Sequence, residues 1–220
     1  MSAFDTPALL EALDAIGAAA TGAGQRLELV VYGGSALMLA GNFRFSTEDV
    51  DIAAIEIPWP VWLQQVTDEI ALRNGWGQHW LNDAVSFHLS QYAQLQRDHL
   101  VFGSFPRRPG PKGLLVHVPS AEYMLALKLK AMRVGDPAKG PTEMADIESL
   151  LTVTKIATIE DAIHLLARYF PRSAEAPDKQ RFLLKHIFAA MGGKALNTIE
   201  DLHAPAYPIR GSAPPDDGTA

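Results

Sequence analysis

Apolar residues in the first third of the chain recur at helical and strand spacings. Leu9, Leu13 and Ile16 lie at helical intervals and predict a helix over residues 7–20. Thr6 would be the N-cap of this helix, with a proline at its first position. The short apolar run at 27–32 predicts a buried strand. The same reasoning predicts a short helix at 35–40, a strand at 48–55 and a helix at 60–73.

The middle of the chain is less regular, and the second half is helical. The stretch 78–100 is ambiguous, and we interpret 84–89 as a strand and 91–96 as a turn. Two further strands are predicted at 101–105 and 114–118, joined by the turn-rich segment RRPGPKG. From Ser120 onward the periodicity predicts helices at 121–133, 142–152, 158–169 and 178–191. A mixed half followed by an all-helical half is typical of α+β architecture.

This order of elements predicts three parts. Residues 1–119 would form an α/β core, and residues 120–195 a helical region packed on that core. The segment 196–220 ends in GSAPPDDGTA, whose composition is typical of an extended or disordered tail. A chain of 220 residues is long enough to bury one sizeable core.

Composition and charge narrow the classes of function. The chain has no cysteine, which excludes disulfides and thiolate metal sites and fits a reducing cytoplasm. We see neither a signal peptide nor an apolar run long enough for a membrane span, so we expect a soluble, cytoplasmic protein without a membrane partner. The net charge of −6 argues against a broad nucleic-acid surface. Local basic groups remain, namely Arg107, Arg108 and Lys112, and Lys128, Lys130 and Arg133.

The first chemistry-bearing motif is the sequence Gly33-Gly34-Ser35 at a predicted strand-to-helix junction. Glycine lets another group approach the backbone without meeting a Cβ. The N–H groups at the start of the following helix suit phosphate oxygens. Ser35 could cap that helix or hydrogen-bond a phosphate. The alternative is a tight turn that binds no ligand.

The second motif is Asp49-Val50-Asp51 in the second predicted strand. Residues i and i+2 of a strand point to the same face, so Asp49 and Asp51 would stand roughly 6–7 Å apart. Carboxylates at this separation can converge on Mg²⁺, which prefers oxygen ligands and substrate phosphates. The alternative is two solvated carboxylates on an exposed face. Only about 14 residues separate the two motifs, which allows the Asp pair to fold back beside the glycine turn.

Together, Gly33-Gly34-Ser35 and Asp49-x-Asp51 resemble the signature of the nucleotidyltransferase (polymerase-β-like) superfamily. The segments PSAEYMLALKLKAMR and DIESLL are similar to the AbiEii-like branch of bacterial nucleotidyltransferases, which includes toxins of toxin–antitoxin systems. The resemblance covers roughly residues 28–190. It implies an α+β fold with a nucleotidyltransferase-like mixed sheet flanked by helices. It also implies Mg²⁺ or Mn²⁺ held by Asp49 and Asp51, an NTP substrate, and an RNA or protein acceptor.

Lys128 adds an argument from helical spacing. Met124, Leu125, Lys128 and Met132 share one face of the predicted helix, whereas Lys130 points to the other side. An inward-facing lysine needs an anion, which could be Asp49, Asp51 or a nucleotide phosphate. The alternative is that Lys128 snorkels from the rim of the helix. The family resemblance places the matching lysine in the active site.

Further site residues follow from the resemblance or from position. By pattern alone Asp146 is a solvated residue at the border of the apolar stripe of its helix. The resemblance implies that it joins the site, with Glu143 as a weaker substitute. Arg44 precedes the predicted strand that carries Asp49 and Asp51. It could reach a phosphate, or lie on the surface. A third carboxylate common in the superfamily is missing, because the strand at 114–118 carries His117 instead. Asp83 is the one nearby alternative.

These observations leave two classes of function open. The leading hypothesis is a Mg²⁺-dependent enzyme that transfers NMP from an NTP to an RNA end such as tRNA, or to a protein. In it Gly33, Gly34, Ser35 and Arg44 bind the nucleotide, and Asp49, Asp51, Lys128 and Asp146 are catalytic. Such an enzyme could be a toxin with an antitoxin partner, or could modify a small molecule. The alternative is a catalytically degenerate nucleotidyltransferase fold that binds a protein partner.

Overall fold

The structure, a computed structural model, describes residues 3–41, 44–53 and 59–194. In these residues helices surround one five-stranded mixed sheet, which confirms the predicted α+β class. The predicted tail at 196–220 lies outside the described residues, as do residues 54 and 55 of the second predicted strand.

The sheet has the strand order β3-β2-β1-β5-β4. Its strands are β1 (Leu27–Tyr32), β2 (Val50–Ala53), β3 (Leu81–Asn82), β4 (His99–Phe105) and β5 (Leu114–Pro119). Strand β1 is parallel to β5 and antiparallel to β2, while β2 is parallel to β3 and β4 is antiparallel to β5. The chain therefore leaves β1 at the same edge of the sheet at which it enters β2.

Residue pairing across the sheet brings the two sequence motifs to this edge. Tyr32, which precedes the glycine turn, pairs with Asp51 on β2, and Asp51 pairs with Asn82 on β3. Residues 29–32 of β1 are all buried, because both faces of this central strand are covered. The end of β1 is thus a firm support for the turn that follows it.

The helices of the first half are α1 (Thr6–Gly22), α2 (Gly33–Gly41), α3 (Val61–Asn74) and α4 (Leu95–Asp98). The predicted N-cap of α1 was wrong by one residue. Asp5 is the cap, and its carboxylate accepts a hydrogen bond from the Ala8 N–H at 3.0 Å. Aspartate caps helices as well as threonine does, and here it allows Thr6 to become the first helical residue.

The strand predicted at 84–89 is also wrong. Residues 84–88 form a 3₁₀ helix, and the strand of this region is β3. The Asn82 side chain accepts a hydrogen bond from the Ala84 N–H at 3.1 Å, which turns the chain away from the sheet directly after β3. A short apolar run does not reveal such a side-chain contact, so periodicity alone cannot separate the two structures.

Among the described residues, the second half contains the four predicted α-helices and one additional short α-helix. They are α5 (Ala121–Ala131), α6 (Gly140–Thr154), α7 (Ile159–Tyr169), α8 (Pro171–Ala174) and α9 (Asp178–Lys194). Helix α5 ends two residues before its predicted end, because Met132 takes the left-handed conformation with φ 42°. Buried residues from both halves, from Leu9 to Ile187, belong to one hydrophobic cluster. None of the helices in the described ranges has an apolar stretch that could span a bilayer.

Candidate functional site

The glycine turn stands directly against the Asp51 carboxylate. Helix α2 begins at Gly33, two residues earlier than predicted. Gly33 has a φ of +66°, a left-handed conformation that disfavours any side chain. A Cβ at this position would lie 2.6 Å from Asp51 Oδ2, too close for any real contact. The absence of a side chain at Gly33 therefore lets a carboxylate approach the start of a helix.

The two predicted carboxylates are neighbours at the entry to β2. Asp49 immediately precedes the strand and is exposed, whereas Asp51 lies within it and is half-buried. Burial raises the pKa of the Asp51 carboxyl, and the negative charge of Asp49 raises it further. A hydrogen bond from Asn82 and the charges of Arg133 and Lys128 oppose this pKa shift. The pair therefore concentrates negative charge that a cation would neutralise.

Ser35 and Thr47 hold the backbone of Asp49 in place. The Ser35 hydroxyl donates to the Asp49 carbonyl at 2.6 Å, and the Thr47 hydroxyl donates to the same oxygen at 3.2 Å. Ser35 is fully buried, so its hydroxyl serves this contact in the described structure. Contact of Ser35 with a phosphate stays a prediction, in which its backbone N–H at the start of α2 is the available donor.

Tyr32 anchors the strand end next to the turn. Its hydroxyl lies 2.9 Å from His99 Nε2, and His99 Nδ1 lies 3.3 Å from the Gln94 carbonyl. A carbonyl only accepts, so Nδ1 carries the proton and Nε2 accepts from the tyrosine. Burial lowers the pKa of His99, which favours this neutral ring. Tyr32 is thus fixed by a hydrogen bond across the same edge of the sheet.

A second group of charges lies beside the carboxylate pair, between α5 and α6. The Lys128 ammonium contacts Glu143 Oε2 at 2.8 Å and Asp146 Oδ2 at 2.7 Å. The Arg44 guanidinium contacts the same Asp146 oxygen at 3.2 Å. We refer to Arg44, Lys128, Glu143 and Asp146 as the ion-pair cluster. Asp146 is only 2% exposed, so the pattern-based interpretation of a solvated residue was wrong.

The ion-pair cluster corrects the predicted partners of Lys128. Asp49, Asp51 and a phosphate were the candidate anions, but the direct partners are Glu143 and Asp146. The lysine does face inward, as its spacing predicted, and its charge still acts on Asp51. Glu143 is therefore a full member of the cluster rather than a substitute for Asp146.

Arg44 connects this cluster to the glycine turn. A Cβ on Gly34 would overlap the Arg44 guanidinium and would lie 3.2 Å from the Thr47 hydroxyl. The arginine thus lies across the first turn of α2 while Asp146 fixes its position. A guanidinium held over a helix N-terminus suits a phosphate group, because it forms paired hydrogen bonds with phosphate oxygens.

The predicted Mg²⁺ ligands, Asp49 and Asp51, are a pair of carboxylates. Within residues 3–41, 44–53 and 59–194 no three metal-ligating side chains come together. His117 is paired with Glu28 at 2.7 Å, and Asp83 adds no third ligand to the Asp pair. Magnesium is commonly held by one or two carboxylates together with water and phosphates. Asp49 and Asp51 would supply such carboxylates, and Asp51 lies against Gly33 at the start of α2.

Two residues of the site were not assigned from sequence. Asn82 donates to Asp51 from the neighbouring strand, and Arg133 acts on Asp51 from the turn after α5. Arg133 was noted only as part of a basic group. Their proximity depends on strand pairing and on helix packing, neither of which leaves a local pattern in the sequence.

Gly33→Ala is expected to destabilise the protein more than Gly75→Ala does. Both glycines have nearly the same positive φ, +66° and +67°, but an added Cβ at Gly75 meets nothing within 4 Å. Left-handed strain of about 1–2 kcal/mol is thus common to both variants. The clash with Asp51 should add about 1–3 kcal/mol to the loss in Gly33→Ala alone. Urea unfolding of both variants measures this difference, and equal losses would show that the Asp51 carboxylate moves aside at little cost.

Comparison with known proteins adds no relative from which a role could be transferred. No protein-family model matches the sequence, and neither the curated proteins nor the solved structures contain a match.

Proposed function

We propose that this chain is a Mg²⁺-dependent nucleotidyltransferase with a nucleotidyltransferase-like fold. The observation that carries the proposal is the contact geometry at Gly33, where the missing Cβ lets the Asp51 carboxylate meet the N-terminal turn of α2. The backbone turn that would bind phosphates and the carboxylate pair that would bind a cation thus lie next to each other. The family resemblance of the two motifs supports the same activity.

In the proposed reaction an acceptor hydroxyl attacks the α-phosphate of an NTP. A bond forms between the acceptor oxygen and the α-phosphorus, and the bond from that phosphorus to the bridging oxygen breaks. The electron pair leaves with pyrophosphate, and the acceptor proton passes to water. Bound Mg²⁺ supplies charge neutralisation of the phosphates. Little covalent chemistry remains for the chain, so positioning of the phosphates is its main task.

The chain's own residues divide this task. Asp49 and Asp51 would hold the cation, and Gly33 and Gly34 would present backbone N–H groups to phosphate oxygens. Arg44 lies over Gly34 and would bind a phosphate of the same nucleotide. Ion pairs that Asp146 and Glu143 form with Lys128 join α5 to α6, and the ion pair of Asp146 with Arg44 holds the arginine beside the glycine turn.

A test of the proposal compares the wild type with Asp49→Ala/Asp51→Ala. Each labelled NTP is incubated with Mg²⁺ and with tRNA, total protein or small acceptors, and Mg²⁺–NTP binding is followed by thermal shift. We expect label transfer and a thermal shift for the wild type and neither for the variant. Asp68→Ala/Glu69→Ala, which removes two exposed carboxylates from α3, should behave as the wild type. Absence of both transfer and thermal shift in the wild type would refute the proposal.

A non-catalytic binding module is the second candidate. The lack of a third metal-ligating acid within the described residues favours it. The same assay separates the candidates, because a binding module would show a thermal shift with Mg²⁺–NTP but no label transfer. The RNA or protein acceptor, the toxin role with an antitoxin partner, and the cytoplasmic location are predictions that follow from the resemblance and from composition. A small adjacent reading frame would support the antitoxin.

A further inference from the structure

The peptide unit between Asp49 and Val50 is held at both of its polar atoms. The Asp49 carbonyl accepts hydrogen bonds from the Ser35 hydroxyl at 2.6 Å and from the Thr47 hydroxyl at 3.2 Å. The Val50 N–H donates to the Trp80 carbonyl at 2.5 Å, at the first residue of β2. Because this planar unit is bonded directly to the Asp49 Cα, holding it restricts where the Asp49 carboxylate can lie.

Thr47 is itself anchored by the amino-terminal segment. Its N–H donates to the Phe4 carbonyl at 3.1 Å, and its carbonyl accepts from the Phe4 N–H at 2.8 Å. The Phe4 ring is buried, with its centroid 4.2 Å from that of Trp76. Thr47 is 6% exposed, and its hydroxyl also lies 3.4 Å from Asp49 Oδ1. The hydroxyl is thus held where it meets both the carbonyl and the carboxylate of Asp49.

The Ser35 hydroxyl is not available to a phosphate. Ser35 has no exposed surface, and the one proton of its hydroxyl goes to the Asp49 carbonyl. Contact with a phosphate would break this bond and leave the carbonyl with the longer contact to Thr47 alone. The backbone N–H groups of the first turn of α2 need no such change, because the start of a helix leaves its first N–H groups unpaired. A phosphate would therefore meet the backbone of this turn rather than the serine side chain.

The two hydroxyls join the glycine turn to the segment that carries the carboxylates. Ser35 is the third residue of α2, and its hydrogen bond crosses to a residue 14 positions later in the chain. The Thr47 hydroxyl faces the same turn from the other side, because it would lie 3.2 Å from a Cβ on Gly34. Buried hydrogen bonds that share an acceptor in this way resist displacement of the segments that they connect.

We propose, on the basis of the proposed function, that Ser35 and Thr47 are positioning residues whose hydroxyls orient Asp49 for a divalent cation. A carboxylate that is already oriented loses less conformational freedom when it binds a cation, so its affinity is higher. Neither hydroxyl then contacts the nucleotide. The assignment moves the Ser35 side chain from the nucleotide to the cation site.

The test measures the affinity for Mn²⁺ alone by electron paramagnetic resonance, because Mn²⁺ suits the same oxygen ligands as Mg²⁺. Ser35→Ala and Thr47→Val each remove one hydroxyl, and we expect either change to weaken Mn²⁺ binding about three- to tenfold, as the loss of one hydrogen bond predicts. Thr47→Ser restores the hydroxyl and should bind Mn²⁺ within about twofold of the wild type.

Ser149→Ala and Thr154→Val are the matched controls. Each removes a hydroxyl that donates to a backbone carbonyl of α6, at 2.9 Å from Ser149 and 2.7 Å from Thr154. Both controls should bind Mn²⁺ as the wild type does. Urea unfolding shows which variants are folded. The comparison of Thr47→Val with Thr47→Ser does not depend on the stability of Ser35→Ala, and valine has the shape of threonine.

A second titration, with Mn²⁺–NTP, separates positioning of Asp49 from contact with phosphates. If the hydroxyls act through Asp49, Mn²⁺–NTP binding should weaken by no larger factor than Mn²⁺ binding. Weaker Mn²⁺–NTP binding at wild-type Mn²⁺ affinity would overturn the assignment, because the hydroxyls would then contact the nucleotide. Wild-type affinity for both probes in Ser35→Ala and Thr47→Val would overturn it as well, and would leave the proposed function intact.

Two further results would count against the assignment. Failure of Thr47→Ser to restore Mn²⁺ affinity would show that the hydroxyl is not the group that matters. A wild type that binds Mn²⁺–NTP but no Mn²⁺ alone would show that Asp49 is not oriented in advance. A wild type that binds neither Mn²⁺ nor Mn²⁺–NTP would refute the proposed function together with this inference.

Discussion

Asp51→Asn is expected to lower the rate of nucleotide transfer roughly 10³-fold and to raise the Tm of the metal-free protein. Under the proposed function the rate falls because a carboxylate that would hold the cation becomes a neutral amide. The Tm rises because burial and the charge of Asp49 disfavour the ionised carboxylate in the folded state, and both raise its pKa. The amide has the same shape and can keep the contact with Asn82. A substitution that lowers activity but raises stability is typical of a residue that is retained for function.

The gain in stability should depend on pH in one direction. The ordinary pKa of the group is 3.8, and that of Asp51 in the folded chain is higher. Below pH 3.8 the carboxyl is protonated in both states, so wild type and variant should unfold at similar temperatures. As the pH rises above this value the unfolded chain loses its proton first, and the wild type is progressively destabilised. The Tm difference should therefore open above about pH 4 and level off once the pH exceeds the folded-state pKa.

Asp68→Asn on α3 is the matched control, because it neutralises an exposed aspartate. Its transfer rate with Mg²⁺ should equal that of the wild type, and so should its Tm in EDTA. Transfer at the wild-type rate by Asp51→Asn would remove Asp51 from the reaction. A lower Tm for Asp51→Asn would show that the carboxylate stabilises the fold, contrary to the electrostatic argument.

Periodicity was sufficient for most of the fold because most elements bury a continuous apolar face. The strand at 27–32 and the helix at 158–169 were predicted within one residue of their observed bounds. Two of the failures lie where a side chain bonds to the backbone. Asp5 rather than Thr6 caps α1, and Asn82 turns the chain into a 3₁₀ helix. Such contacts depend on one hydrogen bond, which a hydrophobic pattern does not report.

Without the family resemblance, the contacts of the candidate site were predictable only where its parts lie close in the sequence. Ser35 and Asp49 are 14 residues apart, and the short loop between them already implied that the glycine turn and the carboxylates meet. The inward direction of Lys128 followed from helical spacing. Its partners did not, because the contacts with Glu143 and Asp146 depend on how α5 packs against α6. Contacts that link distant segments, such as Arg44 with Asp146 at 102 residues' separation, leave no local signal.

Asp146→Ala is expected to destabilise the protein by up to about 3–5 kcal/mol, because it removes the buried partner that two half-buried cations share. Asp146 is 2% exposed, and its side chain contacts Lys128 at 2.7 Å and Arg44 at 3.2 Å. Glu143 alone then remains to compensate Lys128. Urea unfolding measures the loss. Glu122→Ala is the control, because the pair that it breaks with Arg168 has side chains that are 51% and 56% exposed and should change stability by at most about 1 kcal/mol.

A double-mutant cycle separates the lost ion pair from simple loss of volume. If the uncompensated lysine causes the instability, the double variant Lys128→Met/Asp146→Ala should lose much less stability than the two single variants lose in sum. Neighbouring charged residues of this kind typically couple by about 1–3 kcal/mol. Additive losses, or an Asp146→Ala variant within about 1 kcal/mol of the wild type, would contradict the ion-pair argument. The cycle needs no nucleotide, so it tests the ion-pair cluster independently of the proposed nucleotide transfer.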